Sequence, residues 1–363
     1  MRYLDEFRVP AAARELIREI REAGAAGTFM EVCGTHTMAI SKAGLRPLLA
    51  PEIDLISGPG CPVCVTSDAD IDRAVAVAKI PDVVLATFGD MMKVPGTEGS
   101  LATESARGAD VKVVYSPLEA LDLARSEPDR RVVFLGVGFE TTAPTVAATV
   151  LQARRENLSN FFVLSFHKIV PPALRALVAL DDFRVDGFIL PGHVSTIIGS
   201  DAYSFLPDEF KMPCVVTGFE VTDILQAILR LSRMKETGPA LEVEYSRAVR
   251  PEGNPKALRV MDEVFETCDA EWRGLFVIPG SGLSLRDEYR DMDAGAWDVQ
   301  LPVPGERKAC RCGDILCGRI KPMDCPLFGT RCNPDSPVGP CMVSSEGTCA
   351  SYFLYSEYAE GEG

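Results

Sequence analysis

Short apolar runs alternate along the chain with stretches of helical periodicity. The apolar runs are rich in β-branched residues and end at glycine, proline or polar residues, a pattern typical of buried strands. These runs are IDLISG, PDVVLATFGD, VKVVYSP, RRVVFLGVGFE, NFFVLSFHK, VDGFILPGHV and MPCVVTGFE. Because helical stretches follow most of them, the pattern predicts an α/β fold with mainly parallel sheets.

Two of these units resemble each other. DVVLATFGDMMKVPGT and RVVFLGVGFETTAPT each join an apolar run to a Phe-Gly pair, an acidic residue and a proline-containing loop. We therefore predict two similar α/β lobes, residues 1–125 and 126–235. After Pro302 the periodicity fades and Cys, Pro and Gly take over. We assign residues 236–363 to a third, cysteine-rich domain, which needs a metal or a neighbouring domain in order to fold.

The charge balance excludes some classes of partner. The 363 residues include 37 Lys and Arg against 52 Asp and Glu, a net charge of −15, so neither nucleic acid nor an anionic membrane is the expected main partner. The N-terminus is charged and leads into the amphipathic stretch AAARELIREIREAG, unlike a signal peptide. No apolar run reaches the roughly 18 residues of a membrane span. We expect a cytosolic protein, in which twelve cysteines indicate metal or redox chemistry.

Sulfur and polar residues collect where the predicted strands end. Ligands of α/β sheets bind at the carboxyl ends of the strands, so we expect these residues to share a cleft. All three histidines of the chain are among them. The residues are Cys33, His36, Cys61, Cys64, Asp90, Glu140, Thr141, Thr142, His167, His193, Ser195 and Thr196.

The segment GPGCPVCVTSDADIDRAV places a C-x-x-C pair at the start of a predicted helix, with Ser67 or Asp68 as its N-cap. A helix N-terminus lowers the pKa of a thiol, so we expect Cys61 and Cys64 to favour the thiolate. Half of a zinc knuckle, a thioredoxin-type redox site and a site combining redox with metal chemistry all remain open.

Cys33 and His36 lie three residues apart in MEVCGTHTMAISKAG. Cys33 alone is compatible with a small buried apolar side chain. Gly34 and the threonines on either side of His36 favour an exposed, hydrogen-bonding loop instead. There the thiolate and the imidazole would share a metal, or His36 would assist proton transfer at Cys33.

Seven cysteines lie between residues 310 and 349, which is a strong metal signal. The spacing of Cys325, Cys332, Cys341 and Cys349 is too wide for a zinc ribbon. Four thiolates on separate loops suit an iron–sulfur cube, whose ligands need only converge in space. Cys310, Cys312 and Cys317 receive no role, and Cys214 and Cys268 are interpreted as structural.

Five motifs in this order, CGTHT, GPGCPVC, GFETTAP, PGHVSTIIG and CPLFG…C…CMVSSEGTC, resemble those of the HypD family of hydrogenase maturation proteins across nearly the whole chain. The resemblance implies two similar α/β lobes with an iron–sulfur domain. It also implies a scaffold that assembles iron carrying two cyanides and one carbon monoxide for nickel–iron hydrogenases. The implied partners are a small HypC-type chaperone and a HypE-type cyanide donor.

The resemblance also implies residue roles. Cys33 would hold the iron jointly with a chaperone cysteine, and Cys61 and Cys64 would be a redox pair that also contacts iron. A 4Fe–4S cluster would be held by Cys325, Cys332, Cys341 and Cys349. The full set of candidate catalytic residues is Cys33, His36, Cys61, Cys64, Glu140, Thr141, Thr142 and His193.

Hydroxyl groups near these residues would donate hydrogen bonds to the cyanide nitrogens. The candidates are Thr35, Thr37, Thr141, Thr142 and Ser195. Whether the chain is itself an enzyme stays open. The rival interpretations are an iron–sulfur thiol–disulfide oxidoreductase, in which Cys33 is incidental, and a purely structural adaptor.

Overall fold

The computed structural model describes residues 11–303 and 309–355, so the charged N-terminal segment 1–10 lies outside the described residues. Within the described residues, two parallel sheets and one antiparallel hairpin form the framework, which confirms the predicted α/β class. The strands are β1 Gly27–Glu31, β2 Ile53–Ser57, β3 Val83–Thr87, β4 Val111–Val113, β5 Arg131–Gly136, β6 Phe161–Ser165, β7 Gly187–Pro191, β8 Cys214–Thr217, β9 Leu241–Val243, β10 Phe265–Trp272 and β11 Phe276–Leu285.

The first sheet has the order β2-β1-β7-β8-β9 and the second has the order β4-β3-β5-β6. All of their pairings are parallel, with Glu31 opposite Ser57 and Ile189, and Val133 opposite Leu85 and Phe162. The strands β3 and β7 are buried along their whole length, because helices cover both faces of a parallel sheet. Their near-continuous apolar runs reflect this burial.

The division between the sheets does not coincide with the predicted boundaries at residues 125 and 235. The strands β3 and β4 precede residue 125 but pair with β5 and β6, and the chain then returns to the first sheet at β7. The two similar strand-loop units are therefore neighbours in one sheet, since β3 pairs directly with β5. The pattern of apolar residues marks a strand but not its partner, which is a long-range choice.

Most of the helices connect one parallel strand to the next. The longest, Val221–Thr237, packs on the first sheet beside the N-terminal helix and ends at Gly238, where φ is +97°. The helices are α1 Ala11–Glu22, α2 Gly34–Lys42, α3 Leu45–Leu49, α4 Pro62–Val65, α5 Asp68–Ala78, α6 Leu101–Ala106, α7 Pro117–Ser126, α8 Ala143–Arg155, α9 Val170–Val178, α10 Gly192–Ile198, α11 Phe205–Phe210, α12 Val221–Thr237, α13 Pro255–Val264, α14 Cys312–Leu316 and α15 Thr348–Tyr355.

The region after residue 235 is distributed over the molecule. The strand β9 completes the first sheet, α13 packs on α8, and the hairpin β10-β11 packs on α9. The cysteine-rich part packs through α15 on α2, the helix that begins directly after Cys33. In the described ranges, no helix combines the length and the apolar character that crossing a membrane requires.

Candidate iron-binding cleft and cysteine-rich site

The carboxyl ends of strands from both sheets face one cleft with a volume of about 520 Å³. This volume is within the range of about 300–1,000 Å³ that small-molecule sites occupy. The predicted residues that line it are Cys33, Thr35, Cys61, Asp90, Thr141, Thr142 and His193. The structure therefore brings together one thiol from β1, one from β2, and hydroxyl and imidazole groups from β5 and β7.

The Cys33 loop and the Gly60 loop touch through their backbones. A Cβ atom on Gly60 would lie 2.1 Å from the Cys33 nitrogen and 2.2 Å from the Val32 carbonyl carbon, so only glycine fits. The Gly34 N–H donates to the Gly60 carbonyl at 2.9 Å. Since Cys61 follows Gly60, this contact fixes the position of one cysteine loop against the other.

The C-x-x-C pair lies on its own helical turn, α4. Cys61 is the N-cap, and its sulfur accepts the Cys64 N–H at 3.3 Å. The predicted N-cap Ser67 instead begins the next helix, where it forms a capping box with Asp70. The N-cap prediction is therefore confirmed at Ser67, but the prediction that the pair starts this helix is wrong, because Thr66 has extended backbone and separates two helices.

Burial dominates the acidity of these thiols. It raises the pKa of Cys33 to about 12, although the backbone N–H groups of His36 and Thr35 act in the opposite direction. Burial also raises the pKa of Cys64 well above its ordinary value, with further contributions from Cys61 and Cys349. The prediction of a favoured thiolate is wrong for Cys64, because desolvation outweighs the helix N-terminus.

The three histidines do not share one cleft. His193 is exposed in the cleft and stacks on Phe219 with ring centroids 3.8 Å apart, while His36 stacks on the same ring at 4.8 Å. His36 is fully buried, and its Nε2 pairs with the Gly218 carbonyl at 2.8 Å. His167 follows the end of β6, beside Ser165 and Phe265, and does not line the cleft, so the prediction is wrong for His167.

The environment of His36 does not support a proton-transfer role. Burial lowers the pKa of His36 to about 4, so the ring is neutral at pH 7. A neutral ring that donates from Nε2 to the Gly218 carbonyl is held against the wall of the cleft. Its position favours support of the α2 helix over chemistry at Cys33.

The GFETT loop divides its functional groups between the cleft and the interior. Thr141 and Thr142 line the cleft, whereas Glu140 is 1% exposed and accepts the Val170 N–H at 2.9 Å. Burial raises the pKa of Glu140 to about 7. Its second oxygen has no hydrogen-bond partner among the described residues. Glu140 thus lies behind the cleft and holds the loop to α9.

Two of the predicted cyanide donors lie outside the cleft and have their hydroxyl groups engaged there. The Thr37 hydroxyl donates to the buried carboxylate of Glu31, and the Ser195 hydroxyl donates to the Pro191 carbonyl at 2.7 Å. Neither residue lines the cleft. Thr35, Thr141 and Thr142 remain as candidates that line the cleft, but the Thr35 hydroxyl donates to Glu346 Oε1 at 2.7 Å and the Thr142 hydroxyl to the Phe139 carbonyl at 3.2 Å, so each would have to leave that acceptor to donate to a cyanide nitrogen.

The cysteine-rich segment gathers its sulfur atoms beside the C-x-x-C pair. Cys310, Cys325 and Cys332 all lie near enough to Cys349 to raise the pKa of its thiol, after the larger effect of burial. Cys349 in turn affects Cys64. Cys317 lies apart from this set, and its sulfur faces the Gly274 carbonyl at 3.5 Å.

A disulfide joins Cys312 to Cys341 next to these thiols. The predicted ligand Cys341 is available to a cluster only when this bond is reduced, which would also free Cys312. Across residues 11–303 and 309–355, no three His, Cys, Asp or Glu side chains are already arranged to hold a metal ion. The buried sulfur donors nevertheless match the all-thiolate chemistry of an iron–sulfur cluster.

Comparison with known proteins decides the family. The chain matches the HypD family model, described as the hydrogenase formation hypA family, over residues 11–356. It is 45% identical over 369 residues to hydrogenase maturation factor HypD of Escherichia coli (strain K12), covering 98% of this chain and 99% of that relative. The chain belongs to the HypD family. The HypD factor of Rhodobacter capsulatus is 45% identical over 370 residues, covering 98% of both chains.

A third relative is similar over a somewhat smaller share of the chain. A putative hydrogenase expression/formation protein of Methanocaldococcus jannaschii is 44% identical over 330 residues, covering 90% of this chain and 91% of that relative. The resemblance in the five motifs is thus confirmed at the level of the HypD family, and with it a role in hydrogenase maturation.

Two acidic residues beside the Cys33 loop were not predicted from the sequence. Glu31 is buried under the Cys33 loop, accepts the Cys33 N–H at 3.2 Å, and has its pKa raised by burial to about 7. Glu346, from the cysteine-rich segment, reaches the cleft and accepts the Thr35 hydroxyl at 2.7 Å. A buried acid inside a strand is a detectable signal for Glu31, whereas the position of Glu346 follows only from the docking of its segment.

Proposed function

We propose that this chain is the scaffold on which the iron group with two cyanides and one carbon monoxide is assembled for nickel–iron hydrogenases. It would act in the cytosol with a HypC-type chaperone and a HypE-type cyanide donor. The observation that carries the proposal is the convergence of Cys33 and Cys61 on one cleft of about 520 Å³. The cleft leaves room for a small iron complex and for a cysteine of the chaperone.

Cys33 is the residue proposed to hold the iron. The residue is 8% exposed, lies at the N-terminus of α2 and lines the cleft. A thiol with a pKa near 12 is deprotonated when a metal replaces its proton, which couples iron binding to proton release. Thiolate suits low-spin iron with cyanide and carbonyl ligands, because this is a soft metal centre.

Thr141 and Thr142 are the proposed donors to the cyanide nitrogens. Both line the cleft; the Thr142 hydroxyl donates to the Phe139 carbonyl at 3.2 Å and would have to turn from it toward a cyanide nitrogen. A T141V/T142V double variant should retain the diatomic ligands poorly, since a cyanide nitrogen without a donor loses a charge-assisted hydrogen bond. The matched control is Thr237→Val on the exposed end of α12. Equal retention in both variants would reject the donor role.

Cys61 and Cys64 are the proposed redox pair. Cys61 faces the cleft, and Cys64 faces the sulfur atoms of the cysteine-rich segment. Cys325, Cys332, Cys341 and Cys349 are the proposed cluster ligands, with Cys341 released from Cys312. A bound 4Fe–4S cluster would supply single electrons at this position. As it closes to a disulfide, the dithiol of Cys61 and Cys64 would pass two electrons to ligand attachment on the iron and release two protons.

The test is an infrared spectrum of the anaerobically purified chain, co-expressed with its chaperone and the other maturation factors. We expect bands of metal-bound cyanide and carbonyl that disappear in Cys33→Ala and persist in Cys214→Ala. Cys214 is the matched control because it is a buried cysteine in β8, outside the lining of the cleft. A spectrum without these bands, while the hydrogenase matures, would refute the scaffold.

The second candidate is a thiol–disulfide oxidoreductase with an iron–sulfur cluster. The observation that favours it is the placement of Cys61 in an accessible cleft with Cys64 directly behind it. In that function Cys33→Ala would keep full disulfide reductase activity. In the scaffold the same variant loses the iron, so one variant separates the two functions.

A further inference from the structure

The loop between Cys341 and Cys349 connects the two walls of the cleft. The Ser344 hydroxyl donates to Asp90 Oδ2 at 2.7 Å, on the side of the second sheet. Two residues later, Glu346 Oε1 accepts the Thr35 hydroxyl at 2.7 Å, on the side of the first sheet. A hydrogen bond within the loop joins these two residues, since the Glu346 N–H donates to the Ser344 hydroxyl at 3.3 Å.

Glu346 also packs directly on the backbone beside Cys33. A Cβ atom on Gly34 would lie 2.7 Å from the Glu346 Cβ and 3.0 Å from its carbonyl oxygen. The glycine at this position therefore lets the two backbones approach. The contact continues one helical turn further, where the Ser351 hydroxyl of α15 donates to the Thr37 carbonyl at 3.3 Å.

We propose that Glu346 is a positioning residue of the Cys33 site. By accepting the Thr35 hydroxyl it holds the Cys33 loop in place, so that the geometry of the cleft depends on the docked cysteine-rich segment. An effect of Glu346 on iron binding rests on the proposed function. Its effect on the Cys33 loop does not, because that effect concerns only how often Cys33, which is 8% exposed, becomes accessible.

The experiment measures how fast Cys33 is alkylated by iodoacetamide in the reduced, full-length chain alone, with mass spectrometry of the Cys33 peptide. A cysteine this buried reacts through local opening of its loop. Loss of a hydrogen bond to a charged acceptor should therefore make the reaction about tenfold faster in Glu346→Ala, equivalent to about 1.4 kcal/mol. Thr35→Val removes the other partner and should give the same increase.

The double variant distinguishes a direct interaction from two independent effects. If Glu346 acts through Thr35, E346A/T35V should react about tenfold faster than the native chain, as each single variant does. A hundredfold increase would overturn the proposal. Glu346→Gln removes the same charge beside Cys33 but keeps an acceptor oxygen, so Glu346→Ala should react about tenfold faster than Glu346→Gln. Equal rates in these two variants would also overturn the proposal.

Two controls exclude general loosening of the fold. Cys214 is fully buried in β8, and its alkylation in the same samples should not change. Glu236→Ala, on the exposed end of α12, should leave Cys33 unaffected. If Glu346→Ala does not fold, Thr35→Val carries the test, and a native Cys33 rate in Thr35→Val would refute the proposal. The infrared bands are measured separately, so the scaffold and this positioning role fail independently.

Discussion

Gly60→Ala is the most direct test of how the two cysteine loops hold each other. The new Cβ would lie 2.1 Å from the Cys33 nitrogen, against about 3.4 Å for an ordinary contact, so the loops must separate by about 1.3 Å. The atoms it meets belong to the backbone of Val32 and Cys33 and cannot rotate away. The separation would also stretch the hydrogen bond from Gly34 N–H to the Gly60 carbonyl.

The expected loss in the free energy of unfolding is about 2–3 kcal/mol, the upper part of the range for overpacking, because a backbone hydrogen bond is strained as well. Gly89→Ala is the matched control. It lies in the same cleft, neither glycine is among the described residues with positive φ, and its Cβ would meet Val113 at 3.6 Å, an ordinary contact. We expect Gly89→Ala to stay within about 0.5 kcal/mol of the native chain.

The assay is urea denaturation followed by circular dichroism, combined with the infrared bands of the co-expressed chain. Gly60→Ala should also weaken those bands strongly, since a displacement of about 1 Å can cost about a hundredfold in a positioned site. Equal unfolding midpoints for the two alanine variants would refute the close contact. Full bands in a destabilised Gly60→Ala would show that the spacing between the loops does not matter for iron.

Three further outcomes follow from the buried groups. The pKa of Glu140 is about 7 when folded against 4.5 when unfolded, so its stabilising contribution is lost as pH rises through that window. The free energy of unfolding of Glu140→Gln should therefore rise by up to about 3 kcal/mol relative to that of the native chain between pH 4 and pH 8. A difference between the two that does not change with pH in urea denaturation would refute this. Lys168 is 2% exposed, and its ammonium group pairs with the Asp70 carboxylate at 3.1 Å. Lys168→Met should lower the free energy of unfolding by about 2–4 kcal/mol, and K168M/D70N should recover part of this loss in the same assay. Additive losses in the double variant would contradict the pairing. Cys325→Ala should lose the visible absorption of an iron–sulfur cluster while Cys317→Ala keeps it, and equal absorption in the two would count against the proposed cluster site.

The apolar runs determined the class of fold and the positions of most strands. A strand buried on both faces needs a continuous apolar sequence, so the signal is local and survives without the structure. The positions at which the strands end can also be predicted from the local sequence. Cys33, Cys61, Thr141 and His193 were expected in one cleft because parallel strands place their carboxyl ends at one edge, and the structure brings them together.

The tertiary structure alone decided which strands share a sheet and which groups face the cleft. The pairing of β3 with β5, and the return of the chain at β7, depend on contacts between distant segments that no local pattern records. Burial likewise reversed the expected acidity of Cys64, because desolvation is a property of the packed interior. Glu346 contacts Thr35 across more than three hundred residues of sequence, so only the docked cysteine-rich segment could place it.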